Sequence, residues 1–469
     1  MDTKKLRQKI LDLAIRGKLV PQNPNDEPAS VLLQRIQEEK ERLIKEGKIK
    51  RDKKEKTSDT FHYENFPFEV PENWTWVKIK DVVNYIQRGK SPQYSPIRKY
   101  PVLAQKCNQW SGITLESVLF FAPETFEKYT EERFLQTGDI VINSTGTGTL
   151  GRIGLFDISL LNGYECIVAD SHITVVRCNK SMLPQYVYYF LCSEYQQKTI
   201  DDNAAGSTNQ KELYIDTIKE FFIPIPPLSE QHHIVQKIKE CFALIDEIEE
   251  NKLSLSQFIK QTKSKVLDLA IRGKLAPQNP NDESASVFLE RVKNEQKTEK
   301  ITARIFPYNN DIEIPDNWKI TTMQNICHLS DGENIDDKAL PYLDVKYLRG
   351  KSETKILTSG KFVPKNSTVI LVDGENSGEI FLIKEDGYQG STFKILNISN
   401  FVDKDFIFRI LQKEQSAFRE SKVGSAIPHL DKKMFRELPV LLPPLAEQKR
   451  IVKRIESIFL FLDLIQNNL

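Results

Sequence analysis

Few residues in this chain have types and spacing that could do chemistry. Gly146-Thr147-Gly148-Thr149-Leu150-Gly151 is a literal GxGxxG after an apolar run, with Asp170 further along the chain. A dinucleotide fingerprint also needs a helix to open at those glycines. Arg152–Asp157 reads instead as strand or turn, and the similarly framed segment Val372–Glu379 lacks the pattern. We therefore read a tight loop that exposes hydroxyls. GxxxxGK[ST], HExxH, GxSxG and [DNS]PP[YFW] are all missing, and no Asp/Glu spacing defines a nuclease set. His232-His233 reads as a surface pair, and His62, His172, His328 and His429 are isolated. The six cysteines form no CxxC, which predicts reduced thiols rather than a zinc site or disulfide frame. No catalytic residue and no metal site emerge.

What remains is side chains suited to reading a surface. Arg and Lys address guanine edges, Asn and Gln address adenine, and hydroxyls and cations grip phosphate. The first half of the chain offers Lys90, Gln93, Gln105, Lys106, Asn108, Gln109 and Trp110. It adds the loop residues Asn143, Ser144, Thr145, Thr147, Thr149 and Arg152, then Ser207, Thr208, Asn209, Gln210 and Lys211. The second half offers Lys346, Arg349, Lys351, Lys355, Asn376 and Ser377, then Lys422, Ser425, His429, Lys432 and Lys433. Net charge is only +1, so any nucleic-acid face must be local. No apolar run reaches the ~18 residues of a membrane span, and the charged N-terminus lacks a signal-peptide core. These features predict a cytoplasmic protein.

The elements that must position these residues are repeated. Leu11–Ile36, LDLAIRGKLVPQNPNDEPASVLLQRI, returns as Leu267–Val292 with changes only at Val20/Ala276, Pro28/Ser284, Leu32/Phe288, Gln34/Glu290 and Ile36/Val292. The period is domain-sized rather than that of a solenoid. Pro71-Glu72-Asn73-Trp74 is echoed by Pro315-Asp316-Asn317-Trp318, and Pro226-Pro227-Leu228-Ser229-Glu230-Gln231 by Pro443-Pro444-Leu445-Ala446-Glu447-Gln448. Between the paired motifs, Trp74–Ile79, Gly138–Asn143 and Ile173–Arg177 read as strands, and Pro184–Ile200 as a helix. Ala29 to about Gly47 reads as a short helix, and the charged run Lys48–Lys54 as a solvated linker or phosphate-contacting arm.

From Ser229 a four-three apolar seam runs through Ile234, Ile238, Cys241, Ile245, Ile248, Lys252, Leu255, Ile259, Thr262, Val266 and Leu269. Over roughly five heptads this predicts a coiled coil, about 70 Å long if it reaches Leu275. Its first half is repeated as Ile451, Ile455, Ile458, Leu462 and Ile465, and its second half as Leu6, Ile10 and Leu13. The chain is thus a two-fold repeat of domain plus long helix, cut open within one helix. The expected fold is α+β: two homologous α/β recognition domains separated by long antiparallel coiled-coil helices, pseudo-two-fold and circularly organised. Expected segments are a helix and linker at 1–60, a domain at 61–227, the central helix at 228–276, a linker and helix at 277–304, a domain at 305–444 and a last helix at 445–469.

These motifs resemble the specificity subunits of type I restriction–modification systems. The resemblance rests on Pro71-Glu72-Asn73-Trp74, Gly138-Asp139-Ile140 before the Thr-Gly-Thr-Gly loop, Gly206-Ser207-Thr208, both PPLxEQ motifs and both copies of LDLAIRGKL. The second domain departs from it, with Gly374-Glu375-Asn376-Ser377-Gly378 where the first has Thr145-Gly146-Thr147-Gly148. The resemblance implies that each domain reads one half of an asymmetric bipartite site on double-stranded DNA. It implies helices that set the spacing and dock two modification (methyltransferase) subunits, with restriction (translocase/nuclease) subunits as further partners. S-adenosylmethionine, ATP and Mg would then belong to those partners, and this chain would be a non-catalytic subunit with no cofactor. The competing readings are a stand-alone DNA-modifying or DNA-cleaving enzyme, and a coiled-coil adaptor without a DNA role.

Overall fold

The computed structural model describes residues 2–49, 66–206, 211–296, 314–421 and 428–469. Most of the charged linker, the starts of both expected domains, and Ser207, Thr208, Asn209, Gln210, Lys422 and Ser425 lie outside the described residues. The chain divides into two compact units, residues 1–250 and 251–469.

In unit 1, Thr75–Lys78 pairs antiparallel with Phe222–Ile225, so the two segments that bracket the domain close on each other. The central sheet runs in the order Val83–Arg88, Ile173–Cys178, Ile140–Asn143, Ile153–Leu155, antiparallel throughout. β-branched residues suit a sheet covered on both faces, and strand alternation divides them. Ile140 and Ile142 face the helices Pro184–Cys192 and Glu194–Asp202, while Val141 faces a second core with Leu103, Phe156 and Ile167. A smaller sheet orders Val168–Ala169, Tyr100–Leu103, Leu119–Phe121 and Tyr94–Ser95, its first pair parallel. The helix expected over Pro184–Ile200 is two helices. Ser193 is extended, and its Oγ accepts the Gln196 N–H at 3.3 Å, so it starts a new helix instead of continuing the old one.

Unit 2 repeats the plan. Lys319–Thr322 pairs with Pro439–Leu442. The central sheet orders Cys327–Ser330, Phe393–Ile398, Thr368–Leu371 and Ile380–Leu382. One helix, Lys404–Glu420, stands where unit 1 has two. The second sheet has five strands, and a short helix Val345–Leu348 follows its strand Leu340–Leu343.

The long helix is continuous from Leu228 to Ile271. In unit 1 its first half packs on the helix Thr3–Ile15. Arg7 reaches Asp246 at 2.6 Å and Glu249 at 3.2 Å, while Gln22 meets Glu230, so the two segments run in opposite directions. In unit 2 its second half packs on Leu445–Asn467. Lys252 donates to the Leu469 carbonyl, Gln466 to Ser256 at 3.1 Å, and Lys263 pairs with Asp463, again antiparallel.

Ile10, Ile234, Ile238, Ile245, Ile259, Val266, Ile451 and Ile455 are buried, with Leu6, Leu13, Cys241, Leu269, Ile458 and Leu462 half-buried. Two seam positions are corrected: Ile248 is 36% exposed and Leu255 41% exposed. Both lie where a terminal helix runs out. In unit 1 the first helix reaches this far only through Arg7, opposite Asp246 and Glu249, and in unit 2 the last helix ends with Gln466 at Ser256 and Leu469 at Lys252. Thr262 is exposed too, because its neighbour Lys263 turns inward over the Phe459 ring.

Candidate nucleic-acid interface

The duplicated motifs meet at one node in each unit. After Arg16 the first helix ends through Gly17 (φ +65°), and the Lys18 N–H bonds the Leu13 carbonyl at 2.8 Å, a left-handed closure suited to glycine. A Cβ on Gly17 would lie 2.4 Å from Pro71 and 3.2 Å from Trp74. The buried Trp74 indole donates at 2.9 Å to Glu230, whose other oxygen accepts from Gln22. Gln231 ties the Pro226 carbonyl (3.0 Å) to the Leu183 N–H (3.1 Å).

Unit 2 has the same node. Gly273 (φ +68°) sits against Pro315 and Trp318, Trp318 donates to Glu447 at 3.1 Å, and Gln448 bonds the Pro443 carbonyl (2.9 Å) and the Asp403 N–H (2.8 Å). Burial pushes both Glu carboxyls above the ordinary carboxylate value, and the indole bonds pull them partly back. The repeated motifs are frame: they anchor a sheet domain to the start of a long helix.

The candidate reading loops lie in the domains this frame carries. In unit 1 the loop from Asn143 to Arg152 turns through Gly146, Gly148 and Gly151, all at positive φ, and leads into the strand Ile153–Leu155. No helix starts there, so the glycines serve the turn. The loop is closed against residues 211–213: Thr145 bridges Glu212, and the Gly146 N–H bonds the Lys211 carbonyl at 3.1 Å. Unit 2 closes its loop the same way, with Asp373 bridging His429, the Gly374 N–H on the Pro428 carbonyl at 2.8 Å, and His429 Nδ1 2.7 Å from Asp373. In each unit the fold brings together two loops that lie far apart in sequence.

Several side chains expected to touch DNA are internal supports. Asn108, Asn143 and Ser144 are fully buried. Asn108 Nδ2 bonds Asn143 Oδ1 at 3.0 Å and the Arg152 carbonyl at 3.1 Å, and Asn143 Nδ2 bonds the Gln105 carbonyl at 3.3 Å. Ser144 Oγ is spent on Thr174 at 2.5 Å. Ser377 is fully buried as well. Asn108, Asn143 and Ser144 hold their loop, the Ser377 hydroxyl has no partner among the described residues, and none of the four can reach a groove in this conformation.

Arg152 is a latch, donating to Gln109 Oε1 and, at 3.1 Å, to the Gly148 carbonyl. Thr145 Oγ1 meets His172 at 2.8 Å, Gln105 donates to Thr145, and Thr149 bonds the Thr145 carbonyl at 3.2 Å. In unit 2, Arg349 is forked onto Glu379, which keeps its guanidinium charged but neutralised.

The exposed face of unit 1 is left with Lys90, Gln93, Lys106, Thr147 and Trp110. Lys211 is half-buried and pairs with Asp201 at 3.0 Å. Trp110, 57% exposed, sits at the tip of a small hairpin, Asn108–Gln109 with Gly112–Ile113. That hairpin lies on the strand Ile153–Leu155, where a Cβ on Gly154 would come 2.4 Å from Asn108 Oδ1. Tyr94 (49% exposed) and Ile97 (55% exposed) are also open to solvent, although side-chain type does not single them out as it does their neighbour Gln93. The short edge strand Tyr94–Ser95 gives no periodic signal that could have found them. In unit 2, Lys346, Lys351, Lys355, His429, Lys432 and Lys433 are exposed and Asn376 is half-buried. Among the described residues no group of three His, Cys, Asp or Glu could hold a metal, and no helix is long and apolar enough to cross a membrane.

Comparison with known proteins agrees with this architecture. The family model for the type I restriction modification DNA specificity domain matches residues 71–255 and 315–469, one match per framed domain. The EcoAI specificity subunit of Escherichia coli is 26% identical over 537 aligned positions, covering 97% of this chain and 88% of that one. In fold, the chain is similar to the HsdS subunit from Thermoanaerobacter tengcongensis, with a TM-score of 0.52 at 16% identity over 86% of this chain and 93% of that one. A chain from a solved type I R-M system matches with a TM-score of 0.59 at 17% identity, over 86% and 94%. With its two matched domains and their shared frame, this chain belongs to the type I restriction–modification DNA specificity family.

Proposed function

We propose that this chain is the DNA-recognition subunit of a type I restriction–modification complex, each unit reading one half of an asymmetric bipartite site. One observation carries the reading: two equivalent frames hold unlike loops. The Trp–Glu–Gln node is repeated residue for residue, while Thr145–Gly151 and Asp373–Gly378 share only Gly146/Gly374 and Gly151/Gly378 and differ in their other side chains and in side-chain partners. Equal scaffolds with unequal contact surfaces suit unequal half-sites. Joining two weak readers also makes the second contact intramolecular, so their affinities reinforce each other.

On this reading the catalytic work belongs to partners. Two modification subunits bring S-adenosylmethionine, restriction subunits bring ATP and Mg, and the complex works in the cytoplasm. On the paired helices of unit 2, Leu253, Phe258, Leu460, Phe461 and Leu464 are 53–74% exposed. So much uncovered apolar surface suits a protein partner, and we assign it to a modification subunit. Exchanging residues 61–227 for the matching domain of another specificity subunit tests the proposal. Genomic methylation profiling should show one half of the motif changed and the other half and the spacer kept. An unchanged motif, or the loss of both halves in a folded protein, would contradict it.

A further inference from the structure

We propose that unit 2 carries a phosphate-gripping cleft beside its reading loops, built from Lys432 and Arg436 with His328 and Gln324, and that it takes a backbone phosphodiester of bound DNA. This rests on the DNA-recognition reading and names one grip within it. The cleft has a volume of about 410 Å³. Its floor is apolar, formed partly by Cys327 and Phe435, each 1% exposed. Lys432 and Arg436 lie four residues apart on the short helix Lys432–Glu437, so both point to one side. Neither has a side-chain hydrogen-bond or ion-pair partner among the described residues. Among the described residues no carboxylate lines the cleft; its remaining cation, Lys394, is held by Asp331 at 2.6 Å.

Comparing the two units gives a reason for the opening. In unit 1 the edge strand ends with Arg88 opposite Thr174, and its guanidinium lies on Glu212 and, at 2.8 Å, on the Leu213 carbonyl. In unit 2 the register carries Asp331 to that position, one step beyond the pair Ser330–Ile395. Asp331 is drawn onto Lys394 and Lys361, so this strand position sends no side chain of arginine length toward Leu430. Unpaired cations over a low-dielectric floor attract an oxyanion more strongly than the same groups on a convex surface. Only Leu430 and Asp431 separate Lys432 from His429, which closes the reading loop. A phosphodiester held in the cleft would therefore sit next to the bases that loop faces. The corresponding unit 1 helix, Ile215–Lys219, carries Asp216 and a single lysine, so the grip is specific to one unit.

The test uses the full chain assembled with its modification subunits, and a duplex carrying the motif found by methylation profiling. Affinity is measured against salt. The Lys432→Ala/Arg436→Ala double variant should keep the motif while its log–log salt slope shrinks by about 0.9 for each phosphate that is no longer gripped. Lys319→Ala, which removes an exposed cation of unit 2 outside the cleft, should keep the wild-type slope. A double variant that melts like wild type and keeps the full slope would overturn the cleft, as would one with an altered motif. Inorganic phosphate titrated onto the free chain separates a small-anion pocket from a DNA-binding one: phosphate binding with an unchanged duplex slope also overturns the proposal. If the wild-type complex fails to prefer its motif duplex over a random one, the DNA-recognition reading itself fails, independently of the cleft.

Discussion

The two nodes and the two reading loops differ in how far they agree. At the nodes, Gly17, Pro71, Trp74, Glu230 and Gln231 match Gly273, Pro315, Trp318, Glu447 and Gln448 in identity and, apart from the second oxygen of the glutamate, in partners. In the loops, a buried asparagine pair and an arginine latch in unit 1 face a His–Asp pair and a neutralised arginine in unit 2. Fixed geometry where a domain joins its helix, with variation where loops face outward, lets one scaffold carry different contact surfaces.

The comparison can be broken most strongly at the nodes. Trp74→Ala and Trp318→Ala each remove a buried indole and orphan a carboxylate, so each should cost about 3–5 kcal/mol. Chemical denaturation should report similar losses for the two; a large loss in one unit and none in the other would contradict equivalence. Next come the loop supports. Asn108→Ala empties a buried site with bonds to Asn143 and Arg152, and should cost about 1–3 kcal/mol while loosening only unit 1. Hydrogen exchange should place the new mobility around residues 143–152, and protection left intact there would count against the support role.

A smaller effect separates the two glutamates. Both Glu230 oxygens accept donors, whereas one buried oxygen of Glu447 has no partner among the described residues. Glu230→Gln sets an amide N–H₂ against the indole or Gln22, while Glu447→Gln meets no such conflict. Both carboxyls have folded pKa values raised by burial, so their protonated forms favour folding. That contribution is complete below the unfolded value near 4.5 and is lost as pH rises through the folded value. Glu447→Gln should therefore be neutral or stabilising at pH 7 and lose that advantage toward pH 4, while Glu230→Gln should destabilise at pH 7. Melts across that range read both, and identical behaviour of the two variants would remove the distinction. Trp110→Ala should leave stability within about 0.5 kcal/mol. Loss of an exposed aromatic contact at the unit 1 half-site should weaken binding to the duplex. Unchanged affinity would remove Trp110 from the interface.

The frame was legible in the sequence because it is written twice. Trp74 and Glu230 are 156 positions apart in the chain, yet each stands in a motif with a twin, and the twins locate the node. The central strands were legible from their β-branched runs. The break at Ser193 was not, since one serine decides between continuing a helix and capping a new one. Among site residues, polar type alone could not tell a reader from a support. Asn108 and Trp110 are two positions apart, but one is fully buried and the other 57% exposed, because a hairpin tip turns between them. Nor could charge alone reveal that Arg349 is neutralised by Glu379 while Arg436, in a cleft, has no side-chain partner among the described residues.

On the proposed reading, specificity resides in the unlike loops and architecture in the like frames. A chain in which residues 61–227 are replaced by a second copy of residues 305–444 tests it most directly, co-expressed with the modification subunits and read by genomic methylation profiling. The expected result is a folded chain whose motif has two halves of the same base content, both equal to the half that unit 2 reads in the wild type. A motif that kept its original asymmetry would contradict it.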